Sequence, residues 1–239
     1  MENPEQGVSC SLNMSTDGST TETTINSDMF GRSGKRDLVF GDHSFHTSQP
    51  MIRSIAVFCG SSRGTDPEFA SQARLLGESL AIRDIEVVYG GAMVGLMNEV
   101  AEGALSAGGH IIGVMPRFLV DKEIAHKQLT ELILVDSMHE RKLAMNDRCD
   151  GVIAMPGGFG TLDELFEMIT WAQLGLHFKP IGILNTKGFY DPLIAQINMM
   201  TSQGFLKAVH RDMLIVSDGI DSLLHGMQHH RPPTTGKWL

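Results

Sequence analysis

From Ile52 onward, short apolar runs alternate with longer segments whose apolar residues recur at helical spacing. The runs are Ser54 to Cys59, Ile85 to Tyr89, Ile111 to Met115, Leu132 to Val135, Gly151 to Met155 and Pro180 to Leu184, with Leu214 to Val216 as a candidate edge strand. The spacing predicts helices over Pro67 to Ala81, Gly95 to Ala107, Met138 to Asp147, Thr161 to Leu174 and Asp191 to Gly204. Asp66-Pro67-Glu68 opens the first of these with proline in its first turn, and Gly108-Gly109 ends the second. Pro116 is expected to stop the third strand.

Apolar runs of this length separated by helices are βαβ units, and their parallel strands are buried on both faces. Right-handed crossovers then give an α/β fold, a Rossmann-like doubly wound parallel sheet. Ligands of such sheets bind beyond the carboxyl ends of the strands. Glycine follows three of the strands at that edge, as Cys59-Gly60, Tyr89-Gly90-Gly91 and Pro156-Gly157-Gly158. A strand, a glycine turn and a helix start present backbone N–H groups to phosphate. The pattern G-x-G-x-x-G is absent, as is G-x-x-x-x-G-K-[ST], which favours a mononucleotide over NAD and argues against ATP hydrolysis. Tight strand-to-helix turns without a ligand are the alternative.

Composition sets the frame around this body. Residues 1–50 are rich in Ser, Thr, Asn and Gly and poor in aliphatics, so they are expected to form a poorly ordered extension. Residues 51–228 form the predicted domain, and 229–239 a flexible tail. A net charge of −9 argues against partnership with nucleic acid or an anionic membrane. No apolar stretch approaches the ~20 residues of a membrane helix. The acidic N-terminus, with Glu2, Glu5, Asp17, Glu22 and Asp28, resembles neither a secretory signal nor a transit peptide. Cys10, Cys59 and Cys149 are too far apart to read as a disulfide framework or a zinc site, so a reducing, cytoplasmic location is expected.

Glu164 is the sharpest candidate for chemistry. Thr161-Leu162-Asp163-Glu164 matches a capping box, in which Glu164 would bond back to the Thr161 N–H. The same position, at a helix start that favours a carboxylate, could instead take a proton from water or stabilise a sugar cation. Glu167, three residues on, is the reserve carboxylate. Upstream, Arg141 and Lys142 point about 100° apart on one helix, so one of them can face a ligand there. Arginine offers a planar fork, and a solvated charged face is the alternative. His126 and His139 are weaker acid–base candidates, and Cys59 lacks an obvious histidine partner. His225, His229 and His230 could bind a metal adventitiously, but no carboxylate–histidine cluster indicates a catalytic one.

Pro156-Gly157-Gly158-Phe159-Gly160-Thr161-Leu162-Asp163-Glu164 fits P-G-G-x-G-T-x-x-E, and Met138-His139-Glu140-Arg141-Lys142 fits an upstream M-x-x-R-K. Phe58 to Ser62, Tyr89-Gly90-Gly91 with Gly95-Leu96-Met97, and Thr170 to Gly175 agree with the same pattern. Together, over Ile52 to Val216, these segments resemble the LOG (Lonely Guy) family of cytokinin riboside 5′-monophosphate phosphoribohydrolases. The resemblance implies a homodimer that hydrolyses the N-glycosidic bond of N6-modified AMP to free base and ribose 5-phosphate, without metal or redox cofactor. It implies Arg141 and Glu164 as the catalytic pair. Substrate contacts would come from Glu123, Arg141, Lys142 and Thr170 and from Gly158, Phe159, Gly160, Thr161, Leu162, Asp163 and Glu164; the reading of the glycine turns adds Gly157 and the rim residues Gly60, Ser61, Gly90 and Gly91. Phe159 stands where the family often has tyrosine, removing one hydroxyl. Proteins with these motifs also carry a lysine decarboxylase label, for which the sequence offers no lysine context suited to a pyridoxal phosphate Schiff base. A broader AMP nucleosidase and a non-catalytic nucleotide sensor or cofactor carrier remain the alternatives.

Overall fold

A computed structural model describes residues 51–120 and 125–232. The predicted extension over 1–50, the greater part of the predicted tail and Glu123 lie outside the described residues. Among the described residues seven parallel strands form one sheet: β1 (Ser54–Phe58), β2 (Glu86–Tyr89), β3 (Ile111–Pro116), β4 (Glu131–Val135), β5 (Gly151–Ala154), β6 (Ile181–Leu184) and β7 (Leu214–Ser217). Their order is β4-β3-β2-β1-β5-β6-β7. The chain winds outward one way from β1 and then returns to lay β5 on its other side, with Phe58 opposite Ala154. The loops leaving β1 and β5 therefore diverge at the sheet's switch point, where a crevice opens.

Among the described residues seven α-helices flank the sheet: α1 (Pro67–Ile82), α2 (Gly95–Ser106), α3 (Met138–Asp147), α4 (Phe159–Gln173), α5 (Asp191–Ser202), the short α6 (Ala208–Arg211) and, after the last strand, α7 (Ile220–Gln228). Alternate residues of each central strand enter different cores. Ile55, Val57, Val87 and Ile153 pack with Leu76, Leu80, Val100 and Leu223 from α1, α2 and α7. Ala56, Phe58, Val88 and Val152 pack with Met145, Leu165, Met168 and Ile197 from α3, α4 and α5. Burial on both faces is why the strands read as continuous apolar runs.

The α1 prediction holds in detail, with Asp66 as the cap accepting the Glu68 N–H at 2.9 Å. Three expectations need correction. Strand β3 runs through Pro116, which pairs with Val135 at the end of the ladder, where a missing donor disturbs least. Helix α7 was not anticipated, although Ile220, Leu223, Leu224 and Met227 follow helical spacing. Helix α4 starts at Phe159 with Gly158 as its cap, two residues before the expected Thr161.

Candidate active site

That early start changes the reading of Glu164. Thr161 is already inside α4 and the cap is Gly158, which has no side chain, so Thr161 does not open the expected capping box. Thr161 is buried and packs against Gly157, where a Cβ would collide with its side chain. The reciprocal cap sits instead at the start of α3. Ser137 accepts the Glu140 N–H at 3.1 Å, and the Glu140 carboxylate accepts the Asp136 N–H at 2.9 Å. Glu164 lies past the first turn of α4, where the helix dipole has largely fallen off. Its charged neighbour is Arg141, across the crevice on α3.

Arg141 is almost completely buried. Its Nε donates to the Val114 carbonyl at 3.0 Å and its Nη2 to the Gly90 carbonyl at 3.3 Å. The Nη1 lies 4.0 Å from Glu164 Oε1, with the two side chains only 8% and 12% exposed. The two carbonyls hold the guanidinium plane at the ends of β2 and β3, leaving one edge toward Glu164. The solvated-face alternative for Arg141 is thereby removed. Lys142 points elsewhere, as the helical angle requires: its Nζ meets Glu167 at 2.9 Å and Asp163 at 3.2 Å. Burial opposes its charge, but the hydrogen bonds to Glu167 and Asp163 outweigh that and hold the ammonium above the usual lysine range. Glu167 is committed to this clasp between α3 and α4.

Arg141 and Glu164 form part of the wall of a cavity of about 230 Å3. Of the residues predicted from sequence, Gly60, Ser61, Gly158, Phe159, Gly160, Thr161 and Asp163 line it as well. Gly157 lines an adjoining cavity of about 260 Å3 that shares Gly60, Ser61 and Gly158. Gly90 and Gly91 do not line either cavity. A Cβ at Gly90 would strike the Arg141 guanidinium, so this glycine serves the arginine, whereas Gly91 packs on Gly113 and Leu132. Leu162 and Thr170 lie on the outer side of α4, in a shallow hollow with Phe159, Phe166, Glu167 and Trp171. The Thr170 hydroxyl donates to the Phe166 carbonyl at 2.7 Å. A cavity of about 550 Å3 lies at the opposite edge of the sheet, beside Ile52, Asp150 and Pro180 where strands begin, far from this chemistry.

The glycines of the β5–α4 turn divide by what surrounds them. A Cβ on Gly158 or Gly160 would meet no atom within 4 Å, and neither residue needs a positive φ. Packing does not demand glycine there, and the open space above both is the cavity. The first N–H groups of α4 have no helical acceptors, and Gly158, Phe159, Gly160 and Thr161 line the cavity.

Cys59, Met97 and Met138 complete the wall. Burial, and after it the Glu164 carboxylate, push the Cys59 thiol far above its ordinary range, so it stays a neutral thiol rather than a nucleophile. The apolar alternation of the sequence marks all three as core, and nothing in it shows that they face a cavity. His126 is buried, accepting the Gln128 N–H at Nδ1 and meeting Glu102 at 3.2 Å through Nε2; both ring nitrogens serve structure. His139 is exposed. Among the described residues no group of three or more His, Cys, Asp or Glu side chains is placed to hold a metal ion, and no helix is long and apolar enough to cross a membrane.

A family model described as "Possible lysine decarboxylase" matches residues 97–227. Lys142, locked between two carboxylates, is unsuited to the neutral amine that a Schiff base needs. The rice (Oryza sativa subsp. japonica) protein named "Probable cytokinin riboside 5′-monophosphate phosphoribohydrolase LOGL9" is 41% identical over 201 residues, covering 84% of this chain and 88% of that relative. Cytokinin riboside 5′-monophosphate phosphoribohydrolase LOG5 of Arabidopsis thaliana is 41% identical over 185 residues, covering 77% of this chain and 81% of the relative. Among solved structures, the molybdenum cofactor binding protein of Rippkaea orientalis superposes with a TM-score of 0.55 at 21% identity, over 72% of this chain and 93% of that one. The carrier protein for the same cofactor from Chlamydomonas reinhardtii gives 0.54 at 20% identity, over 72% and 94%. These two structures share the fold. The extent and identity of the sequence matches carry the assignment: the chain belongs to the LOG family of cytokinin riboside 5′-monophosphate phosphoribohydrolases.

Proposed function

We propose that this chain hydrolyses the C1′–N9 bond of an N6-modified adenosine 5′-monophosphate, giving free base and ribose 5-phosphate. The observation that carries the proposal is the buried Arg141–Glu164 pair, 4.0 Å apart, in the wall of a cavity roofed by the N-terminus of α4. The 5′-phosphate sits on the N–H groups at the start of α4, in the space left open by Gly158 and Gly160. Cleavage of C1′–N9 develops positive charge on the ribose, which the Glu164 carboxylate stabilises. Water adds its oxygen to C1′ while the bonding pair leaves with N9. Glu164 orients that water and accepts its proton, which it gives up to solvent as the departing base takes one from solvent to leave as the neutral purine. Arg141 fixes Glu164 and offers Nη1 to negative charge on the departing base. Met97 and Met138 give the cavity a soft apolar wall suited to a purine.

The outer face of α4 carries Phe159, 92% exposed, beside the half-buried Leu162, Phe166 and Trp171. This apolar face is the one we assign to a second copy in a homodimer, with light scattering as its check. The buried free thiols Cys59 and Cys149 fit a reducing cytoplasm. The function is tested by incubating the protein with N6-isopentenyladenosine monophosphate and, separately, with AMP, and measuring free base and ribose 5-phosphate. Faster release from the modified nucleotide is expected. Equal or faster release from AMP overturns the N6-specific reading, and AMP binding without any release makes the protein a carrier.

A further inference from the structure

The glycine turn that forms the phosphate cradle hangs from a tyrosine outside the motifs. At the root of the turn, Met155 donates its N–H to the Phe58 carbonyl at 2.8 Å, and Gly60 donates to the Pro156 carbonyl at 3.0 Å. Both bonds tie the turn to β1. From the β6 side a third bond reaches in: the Tyr190 hydroxyl donates to the Met155 carbonyl at 2.6 Å. Tyr190 is 2% exposed, and it lies 35 residues downstream of the carbonyl it holds.

Several contacts fix Tyr190 itself. Its N–H donates to Asn185 Oδ1 at 2.7 Å, and Asn185 Nδ2 donates to Asp191 Oδ1 at 2.7 Å. Its ring meets Phe189 edge-on at 5.0 Å, and Phe189 meets Phe69 of α1 edge-on at 5.9 Å. The loop that carries it includes Lys187 in the left-handed region, at φ 54°. An ion pair at 2.9 Å from Lys187 Nζ to Asp66, the cap of α1, helps keep that unfavourable backbone in place. Burial, and after it the nearby Cys59, push the phenol well above its ordinary range, so it stays a donor at every physiological pH.

We propose that Tyr190 is a positioning residue for the reaction, setting the Met155 carbonyl and through it the direction of the phosphate-binding N–H groups from Gly158 to Thr161. The inference rests on the phosphate assignment made under the proposed function. Met155 is three residues from the helix cap, Gly158, which has no side chain with which to fix α4. The orientation of its first N–H groups is therefore inherited from the turn. With the hydroxyl gone, the Met155 carbonyl is left buried without that donor, and the turn is free to shift toward other partners.

The test is Tyr190→Phe, which removes one oxygen and keeps the ring. Binding of AMP and of inorganic phosphate is measured by calorimetry, and turnover of N6-isopentenyladenosine monophosphate by base release. The expected result is a 5- to 10-fold weaker Kd for both AMP and phosphate, the effect of about one hydrogen bond. KM should rise by the same factor, while the affinity for the nucleoside without its phosphate stays unchanged. A purely structural tyrosine would lower the melting temperature and leave the phosphate Kd alone, and that result overturns the inference. Asn185→Ser loosens Tyr190 from its backbone anchor and carries the test if Tyr190→Phe does not fold; weaker phosphate binding supports the inference and an unchanged Kd overturns it. Because binding is read without turnover, an inactive wild-type protein would refute the hydrolase reading alone.

Discussion

Glu164→Gln isolates the carboxylate's charge from its shape. In the folded protein the substitution removes one partner of an ion pair at 4.0 Å. At an effective dielectric of 20 that pair interacts by about 4 kcal/mol. Little of this should appear as lost stability, because Arg141 keeps the Val114 and Gly90 carbonyls and glutamine still offers an oxygen. A loss below ~2 kcal/mol is expected, a shift of roughly 4–8 °C in melting temperature for a domain of this size. Transition-state stabilisation suffers more. The ribose is uncharged in the ground state and cationic as C1′–N9 breaks, so the carboxylate contributes chiefly where charge develops. Loss of one such electrostatic contact costs about 2.7–4 kcal/mol, or ~10²–10³ in kcat, while KM changes little. The assay is base release from N6-isopentenyladenosine monophosphate, with the unfolding transition measured on the same preparation. A kcat within about threefold of wild type, in a variant that remains folded, would refute the assignment of Glu164 to the reaction.

Other substitutions separate structure from chemistry at neighbouring positions. Arg141→Ala should abolish turnover and also destabilise the fold by ~3–5 kcal/mol, since it takes a donor from two buried carbonyls and the cation from beside Glu164; urea titration checks the second half. Gly158→Ala adds a methyl group into open space at the helix cap, so its unfolding free energy should fall by no more than about 1 kcal/mol while KM for the nucleotide rises. Gly157→Ala should do the reverse and lower stability by more than ~1 kcal/mol, because the new Cβ meets Thr161 and the Gly60 N–H. Acidification should destabilise the protein partly through His177. Burial, and after it nearby Lys179, hold its pKa below the usual value against the opposing bond to Met168, and its Nδ1 accepts the Lys179 N–H at 3.2 Å. The unfolded chain then takes up a proton that the folded chain refuses, so stability is full above about pH 6.5 and falls as pH drops from there toward the folded pKa. Urea midpoints from pH 8 to 5 should show less of this slope in His177→Asn, which keeps an acceptor for Lys179.

The central strands were legible because each is buried on both faces and bounded by glycine, proline or a polar turn, whereas the edge strands β4 and β7 are only partly buried. The three glycine turns at one rim followed from the same reading. The start of α4 misled for a definite reason. Thr161 and Glu164 have capping-box spacing, but Thr161 packs inward under Gly157 and the helix begins at Phe159, capped by Gly158. A local pattern lost to tertiary packing. The separate fates of Arg141 and Lys142 were half visible. Helical geometry required them to diverge, but only the fold shows that Val114 and Gly90 carbonyls await the arginine and that Asp163 and Glu167 await the lysine. Tyr190 was invisible because its partner carbonyl lies 35 residues upstream, on the neighbouring strand's exit. A tyrosine in the turn after a buried parallel strand is the one sequence signal it leaves.

The position of Arg141 also decides which experiments can be read cleanly. Its guanidinium ties α3 to the ends of β2 and β3 and faces Glu164 on α4, so one side chain joins both arms of the sheet across the switch point. Holding a charge in place by burying it makes that charge expensive to remove: the same bonds that fix Nη1 beside Glu164 keep two carbonyls satisfied in the core. Loss of activity on removing Arg141 therefore mixes two effects that cannot be separated by rate alone. Glu164 stands at the cavity end of the same network and carries neither of those carbonyl bonds. The contrast between the two variants is thus the informative measurement. If the pair acts as the geometry requires, Glu164→Gln loses turnover with its fold nearly intact, Arg141→Ala loses both, and Arg141→Lys, which keeps the charge but not the fork, regains less activity than stability.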